Sequence, residues 1–181
     1  MMWFSKIKIY RRNEKGVVAV EFALLAAPFV FLIIGLIETS LYFATSISLE
    51  GATQSASRLV MTGQAQNSGD ALRAFEEKLC SQVNIMLPCD DIKIEAIPID
   101  TNNFSGAEGL VPIFDDEGNL VPRGFSPGVS DDVILIRAAY RYEFLTPMIG
   151  RLMQDNDETN NNSVLLMTTV VIRNEPYSFD F

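Results

Sequence analysis

The chain has few side chains that could do chemistry, and most of them are carboxylates. It contains no histidine and two cysteines among 181 residues. A histidine triad, a histidine metal ligand and an imidazole proton shuttle are therefore excluded. Two cysteines cannot complete a four-cysteine zinc site. Cys80 and Cys89 are not in a Cys-x-x-Cys arrangement either, so redox catalysis has little support. Three acidic pairs remain: Asp90-Asp91, Asp115-Asp116 and Asp131-Asp132. Paired carboxylates can share a proton or a cation, but on an acidic surface they read first as solvated loop charge. Asp155-x-Asp157-x-Thr159 has the spacing of a calcium loop, yet the sixth position is not Gly and the twelfth, Leu166, is not Glu. No Gly-x-Ser-x-Gly, phosphate-loop or dinucleotide fingerprint occurs. The net charge of −9 argues against nucleic acid as a partner. The expectation is a chain without enzymatic activity, cofactor, metal or small-molecule substrate.

One carboxylate is out of place, and it directs attention to the element that carries it. Glu21 lies inside VVAVEFALLAAPFVFLIIGLI, residues 17–37, as the sole charge in that run. Twenty-one helical residues span about 31 Å, close to the hydrocarbon thickness of a bilayer. Residues 1–16 carry Lys6, Lys8, Arg11, Arg12 and Lys15 against Glu14, and the other 165 residues hold nine basic and 22 acidic side chains. A basic flank on one side orients the span, with the N-terminus cytoplasmic and the remainder exported. The run is longer than the apolar region of a cleaved signal peptide, and Ala44-Thr45-Ser46 is a poor small-x-small site. Arg11-Arg12 lacks the surroundings of a twin-arginine signal, and a membrane-orienting role suffices for it. A plain signal anchor leaves Glu21 without a reason, since a carboxylate in a membrane helix is expensive and calls for a partner.

Gly16 supplies one. The stretch Arg11 to Gly16 followed by Val17-Val18-Ala19-Val20-Glu21-Phe22 resembles the processing site of type IV prepilins: a short basic leader ending in Gly, then an apolar helix with Glu at its fifth residue. Glu21-Phe22 stands close to the Glu-Tyr pair of Flp pilins. The resemblance implies cleavage after Gly16 by a prepilin peptidase, with Val17 as the new N-terminus. The released α-ammonium would lie one turn from Glu21, at i and i+4. It could neutralise that carboxylate in its own chain or in a neighbour, which lowers the cost of burying it. If Glu21 simply sits among headgroups, no such partner is required.

The helix is predicted to continue to residue 62. Leu41, Ala44, Ile47, Leu49, Ala52, Ala56, Leu59 and Val60 recur at three-to-four spacing, which suggests one wet face with these positions on the other, able to pack on a globular domain. Pro28, Gly35 and Gly51 are candidate bend points, Pro28 above all as a kink. Over residues 16–62 the string resembles the TadE-like family: Gly, a Val-Glu-Phe helix, a glycine-containing apolar run, a second Glu (Glu38), then an Ala/Ser-rich helix with a lone Arg (Arg58). Glu38 also has the plain reading of a carboxylate at the end of a span.

A turn over Gly63 to Gly69 precedes a second helix, DALRAFEEKLC, capped by Asp70, with Leu72, Phe75 and Leu79 on its apolar face. Cys80 and Cys89 form an even, closely spaced pair, which in an exported chain reads as a disulfide and in a cytosolic one as two thiols. Alternation predicts strands at 91–96 and 133–145, and VLLMTTVVIR at 164–173 reads as a strand apolar on both faces. In the second strand Ile134, Ile136, Ala138, Tyr140, Tyr142 and Phe144 point one way, and Arg137, Arg141 and Glu143 the other. Tyr140 to Pro147, a short apolar helix and a last strand ending at Arg173 are similar to the later parts of TadE-like proteins. Residues 101–130, with five glycines and three prolines, read as a long surface loop, and 154–163 as a polar one.

The expected fold is α+β and pilin-like: a long N-terminal helix, transmembrane then amphipathic, on a small antiparallel sheet. The expected parts are a leader (1–16), a span (17–37), an exported helix extension (38–62) and a periplasmic domain (63–181). The resemblance implies a minor pilin of a Flp/Tad-type pilus in the inner membrane. Its partners would be the prepilin peptidase and other pilins, and its role assembly and adhesion. Two alternatives stay open: an unprocessed, signal-anchored periplasmic scaffold or binding protein, and an envelope enzyme whose acidic residues converge in a cleft.

Overall fold

A computed structural model describes residues 16–83, 87–99, 110–153 and 162–177. The expected leader before Gly16, the Asp155–Thr159 spacing and residues 101–109 of the long loop lie outside them. The elements described, in chain order, are α1 (Val17–Met61), α2 (Gln64–Asn67), α3 (Ala71–Val83), β1 (Lys93–Ile99), β2 (Val133–Glu143), α4 (Pro147–Met153) and β3 (Ser163–Arg173), with a 3-10 turn at Cys89–Asp91. The chain divides into two compact units, Met1–Ser40 and Leu41–Phe181. This is an α+β fold, with α1 as the long apolar N-terminal helix and a three-stranded antiparallel sheet ordered β1-β2-β3.

In the first unit, the described residues are the start of α1. Its side chains are overwhelmingly apolar and exposed, among them Val18, Leu24, Phe29 and Leu36. Pro28 stands inside the helix. Toward the end of this unit the hydroxyls of Thr39 and Ser40 donate back to the carbonyls of Gly35 and Leu36, at 2.8 and 2.7 Å. Such back-bonding meets the needs of a hydroxyl within its own helix.

In the second unit, residues 41–61 of α1 pack on the sheet through a narrower and more polar stripe than periodicity predicts. Thr45, Leu49, Ala52, Thr53, Ala56, Ser57 and Val60 are buried. Ile47, assigned inward from its spacing, is 68% exposed, and Leu41 is also exposed. The reason is that Thr and Ser can take buried helical positions when they bond their own backbone. Thr45, Thr53 and Ser57 donate to the carbonyls of Leu41, Leu49 and Thr53 at 2.7–2.8 Å. Leu49, Ala52, Ala56 and Val60 join Ile134, Ile136, Ala138 and Leu166 in one core. The helix stops at Gly63, whose φ of 77° is left-handed and suits glycine.

The stretch from Gly63 to Gly69, expected as a turn, holds the four-residue helix α2. Asp70 caps α3 by accepting the Arg73 N–H at 3.0 Å. Phe75, Leu79 and Val83 form the buried face of α3, while Leu72 is exposed. Cys80 and Cys89 are joined in a disulfide, with Cα atoms 5.7 Å apart.

The sheet departs from the one-face expectation. β2 pairs with β1 from Lys93↔Ala139 to Ile99↔Val133, and with β3 from Val133↔Arg173 to Glu143↔Ser163. The face bearing Ile134, Ile136 and Ala138 meets α1, as alternation predicts. The opposite face is not left to solvent over its centre: Leu135, Arg137, Ala139 and Glu95 are all buried. Residues 110–126 cover it. Ala96 N–H donates to the Gly124 carbonyl at 3.1 Å and the Ser126 N–H to the Ala96 carbonyl at 2.9 Å, so the loop also closes the outer edge of β1. The described part of the long loop is thus a surface segment, as expected, that is bonded onto the sheet.

Candidate processing and assembly segment

The residues singled out at the N-terminus occupy one short stretch. Gly16 stands immediately before α1, and Val17 is its first residue. Val17 and Glu21 are one turn apart on one helix face. Gly16, Val17, Glu21 and Phe22 are all exposed. Gly16 meets no demand of the fold: a Cβ built on it would find nothing within 4 Å, and its backbone is not left-handed. Packing therefore gives no reason for glycine at this position. Val17–Met61 is long and apolar enough to cross a membrane, and none of its most apolar stretch is buried.

Three carboxylates of the acidic pairs, Asp115, Asp131 and Asp132, have local partners. The Asp115 carboxylate accepts the backbone N–H groups of Glu117 and Asn119 at 3.0 and 2.7 Å and the Asn119 amide at 3.1 Å. The Asn119 hydrogen bonds hold the Asp115 carboxyl below its ordinary range. Asp132 accepts the Val129 N–H at 2.9 Å, and Asp131 pairs with exposed Arg173 at 3.3 Å. Asp90 and Asp91 lie in the 3-10 turn after the disulfide. Among the described residues no group of three or more Cys, Asp or Glu side chains could hold a metal ion.

The most buried charge lies in the first strand, where charged and apolar residues alternate. Glu95 is 0% exposed and lies opposite Arg137 in the β1–β2 register. Its Oε1 accepts from Arg137 Nη1 at 2.6 Å and from Arg123 Nη2 at 3.2 Å. Its Oε2 accepts both the backbone N–H and the Nε of Arg123 at 3.3 Å. Arg137 donates onward to the Leu110 carbonyl. Burial pushes the Glu95 carboxyl up, but the hydrogen bonds from Arg123 and Arg137 and the Arg123 charge outweigh it, and the net shift is downward. Arg141 continues the row, donating to Asn119 Oδ1 at 2.6 Å and to the Glu117 carbonyl at 2.9 Å. These ion pairs and hydrogen bonds lash the covering loop to the sheet. The signal was present in the string: Val133-Ile134-Leu135-Ile136 and Ala138-Ala139 are apolar at both parities, which marks a strand buried on both sides.

The family model described as TadE-like protein matches residues 16–58. That segment is similar to TadE-like proteins. The match covers about a quarter of the chain, starting at Gly16 and ending at Arg58. It includes Val17, Glu21, Phe22, Pro28 and Glu38, and leaves out the disulfide, the Glu95 ion pairs and the whole sheet. The likeness noted from Tyr140 to Pro147 also falls outside it. No curated protein and no solved structure matches the chain. The matched residues overlap the helix that is long and apolar enough to cross a membrane.

Proposed function

We propose that the chain is a minor pilin, or pseudopilin, of a Flp/Tad-type pilus, cut after Gly16 by a prepilin peptidase and acting in assembly and adhesion rather than catalysis. The observation that carries this reading is a glycine that the fold does not need, set directly before a helix with a carboxylate one turn in. A peptidase subsite that admits only a small residue would give Gly16 its reason. Both sides of the scissile bond are exposed, as cleavage requires. After cleavage the Val17 ammonium and the Glu21 carboxylate lie at i and i+4, and each can serve the other or a neighbouring subunit. The basic leader remains cytoplasmic, the second unit is exported, and the disulfide fits an oxidising compartment.

The test is the N-terminus of the protein recovered from membranes of its host, read by intact mass or N-terminal sequencing, with and without the prepilin peptidase. A chain beginning at Val17 only when the peptidase is present supports the reading. A chain retaining residues 1–16 in both strains removes it and leaves a signal-anchored envelope protein. Glu21→Gln is expected to be cleaved but to fail in assembly with other pilins.

A further inference from the structure

The largest exposure of any sizeable apolar side chain among the described residues is that of Leu145, at 79%. It follows Phe144, which is buried. The Phe144 ring stacks on Tyr42 at 6.0 Å and meets Tyr142 edge-on at 5.2 Å, while Tyr42 meets Tyr142 at 5.8 Å and Phe43 at 5.3 Å. Phe43 is 54% exposed, and Leu41, two residues before it, is exposed too. The end of β2 and residues 41–43 of α1 thus form one aromatic cluster in the second unit, with apolar side chains on its outside. Leu145 is held there from both sides. The Phe144 N–H donates to the Asn162 carbonyl at 2.9 Å, and the Thr146 carbonyl accepts from Ile149 and Gly150 at 3.0 and 3.1 Å. Its exposure is built into the backbone and is not the accident of a loose loop.

We propose that this end of the second unit rests on the bilayer surface, with Leu145 and Phe43 in the zone between headgroups and acyl chains. The proposal rests on the reading that residues 17–37 cross a membrane. Chain continuity selects lipid as the occupant. Leu41 to Phe43 follow Ile37, the last residue of the apolar run, by four to six residues of the same helix. At helical rise that is about 6–9 Å, the depth of the headgroup layer. Half-buried tyrosines beside exposed apolar side chains are the composition of a membrane interface. Arg151, in the last turn of α4, is exposed and can meet phosphate, with Glu143 the exposed carboxylate at the same strand end. The far end of β2 is different: exposed Val129 lies there beside Asp131 and Asp132.

The test uses the full chain in phosphatidylcholine–phosphatidylglycerol vesicles, in a Trp3→Phe background that removes the single native tryptophan. Leu145→Trp, Val129→Trp and Phe29→Trp are compared in ordinary lipid and in lipid brominated near the glycerol end of the acyl chains. Each replaced side chain is exposed, so each variant is expected to fold. The expected result is loss of most of the emission at positions 145 and 29 in brominated lipid, and none at 129. Equal emission at 145 in the two lipids overturns the proposal. If that emission also shifts to the blue as protein-to-lipid ratio rises, a second copy covers the patch instead. Unquenched emission at 29 overturns the membrane-spanning reading itself and this proposal with it.

Discussion

Removing the Glu95 carboxylate tests whether the covering loop is held by buried ion pairs. In Glu95→Ala, Arg137 would stay in the sheet interior with the Leu110 carbonyl as its remaining acceptor among the contacts described, and Arg123 would lose both oxygens it now meets. Breaking a buried pair by deleting one partner costs about 3–5 kcal/mol. That is a large share of the roughly 5–15 kcal/mol that holds a typical domain together. With a urea m-value of about 2 kcal/mol/M, the unfolding midpoint falls by about 2 M. The assay is urea unfolding of the full chain in detergent micelles, followed by near-ultraviolet circular dichroism of the Tyr42–Tyr142–Phe144 cluster. Glu95→Leu combined with Arg137→Leu removes both charges and is expected to regain most of the loss, because apolar replacement of a buried pair is often neutral or better. Arg123, a quarter exposed, can turn to water. A loss below about 1 kcal/mol in Glu95→Ala would mean that the pair behaves as a solvated surface contact, and the reasoning would be wrong. Acid gives the same test without mutation. The folded Glu95 carboxyl titrates below its ordinary value of 4.5. Its contribution is therefore complete above that value and is lost as pH falls through the lowered folded value. Glu95→Gln should flatten this acid limb and leave the slope near neutrality unchanged.

The other predictions concern separate parts of the chain. Cys80→Ala with Cys89→Ala reopens a ten-residue loop and should cost roughly 2–3 kcal/mol, read as a lower urea midpoint matched by reduction of the native chain. Leu49→Ala should cost about 2–4 kcal/mol, because Leu49 is buried in the helix–sheet core. Ile47→Ser, two residues away but exposed, should stay within about 0.5 kcal/mol, which separates the observed helix face from the one that spacing alone predicts. Gly16→Val should leave the unfolding curve unchanged, since nothing crowds that position, and should abolish the mass loss of the leader.

What could be read from the string follows from which forces are local. The long helix, its stop near residue 62 and the Asp70 cap depend on hydropathy, glycine and a short polar side chain, and all three are visible in sequence. The disulfide was legible as an even, closely spaced pair of cysteines. The buried stripe of α1 was not, because Thr45, Thr53 and Ser57 count as polar in a periodicity reading and become acceptable inside only by bonding their own carbonyls. The second face of the sheet was missed for a related reason. Alternation treats Glu95 and Arg137 as water-facing, but the two lie opposite each other across β1 and β2, and a third charge arrives from Arg123, 28 residues downstream of Glu95. A pairing at that separation has no local signature. The apolar side chains at both parities in Val133 to Ala139 were the clue that a cover existed, though not which segment supplies it.

The matched segment and the ion pairs divide the chain's tasks in a way that can be separated by experiment. The TadE-like match ends at Arg58, so β1, β2, β3, the disulfide and the Glu95 pairs all lie beyond it. Gly16 and Val17 are exposed and contribute nothing to the core around Leu49 and Ile136. A substitution at Glu95 should therefore lower the amount of folded protein, because a few kcal/mol changes abundance several-fold in cells. On the proposed processing, it should leave the N-terminus of the surviving chain at Val17. Gly16→Val should do the reverse, with normal abundance of the second unit and an intact leader. Quantifying both chains by immunoblot and reading both N-termini by mass places the two effects on independent axes. If Glu95→Ala also blocked leader removal, processing would depend on the folded state of the second unit. The site could then not be a local property of residues 16–22.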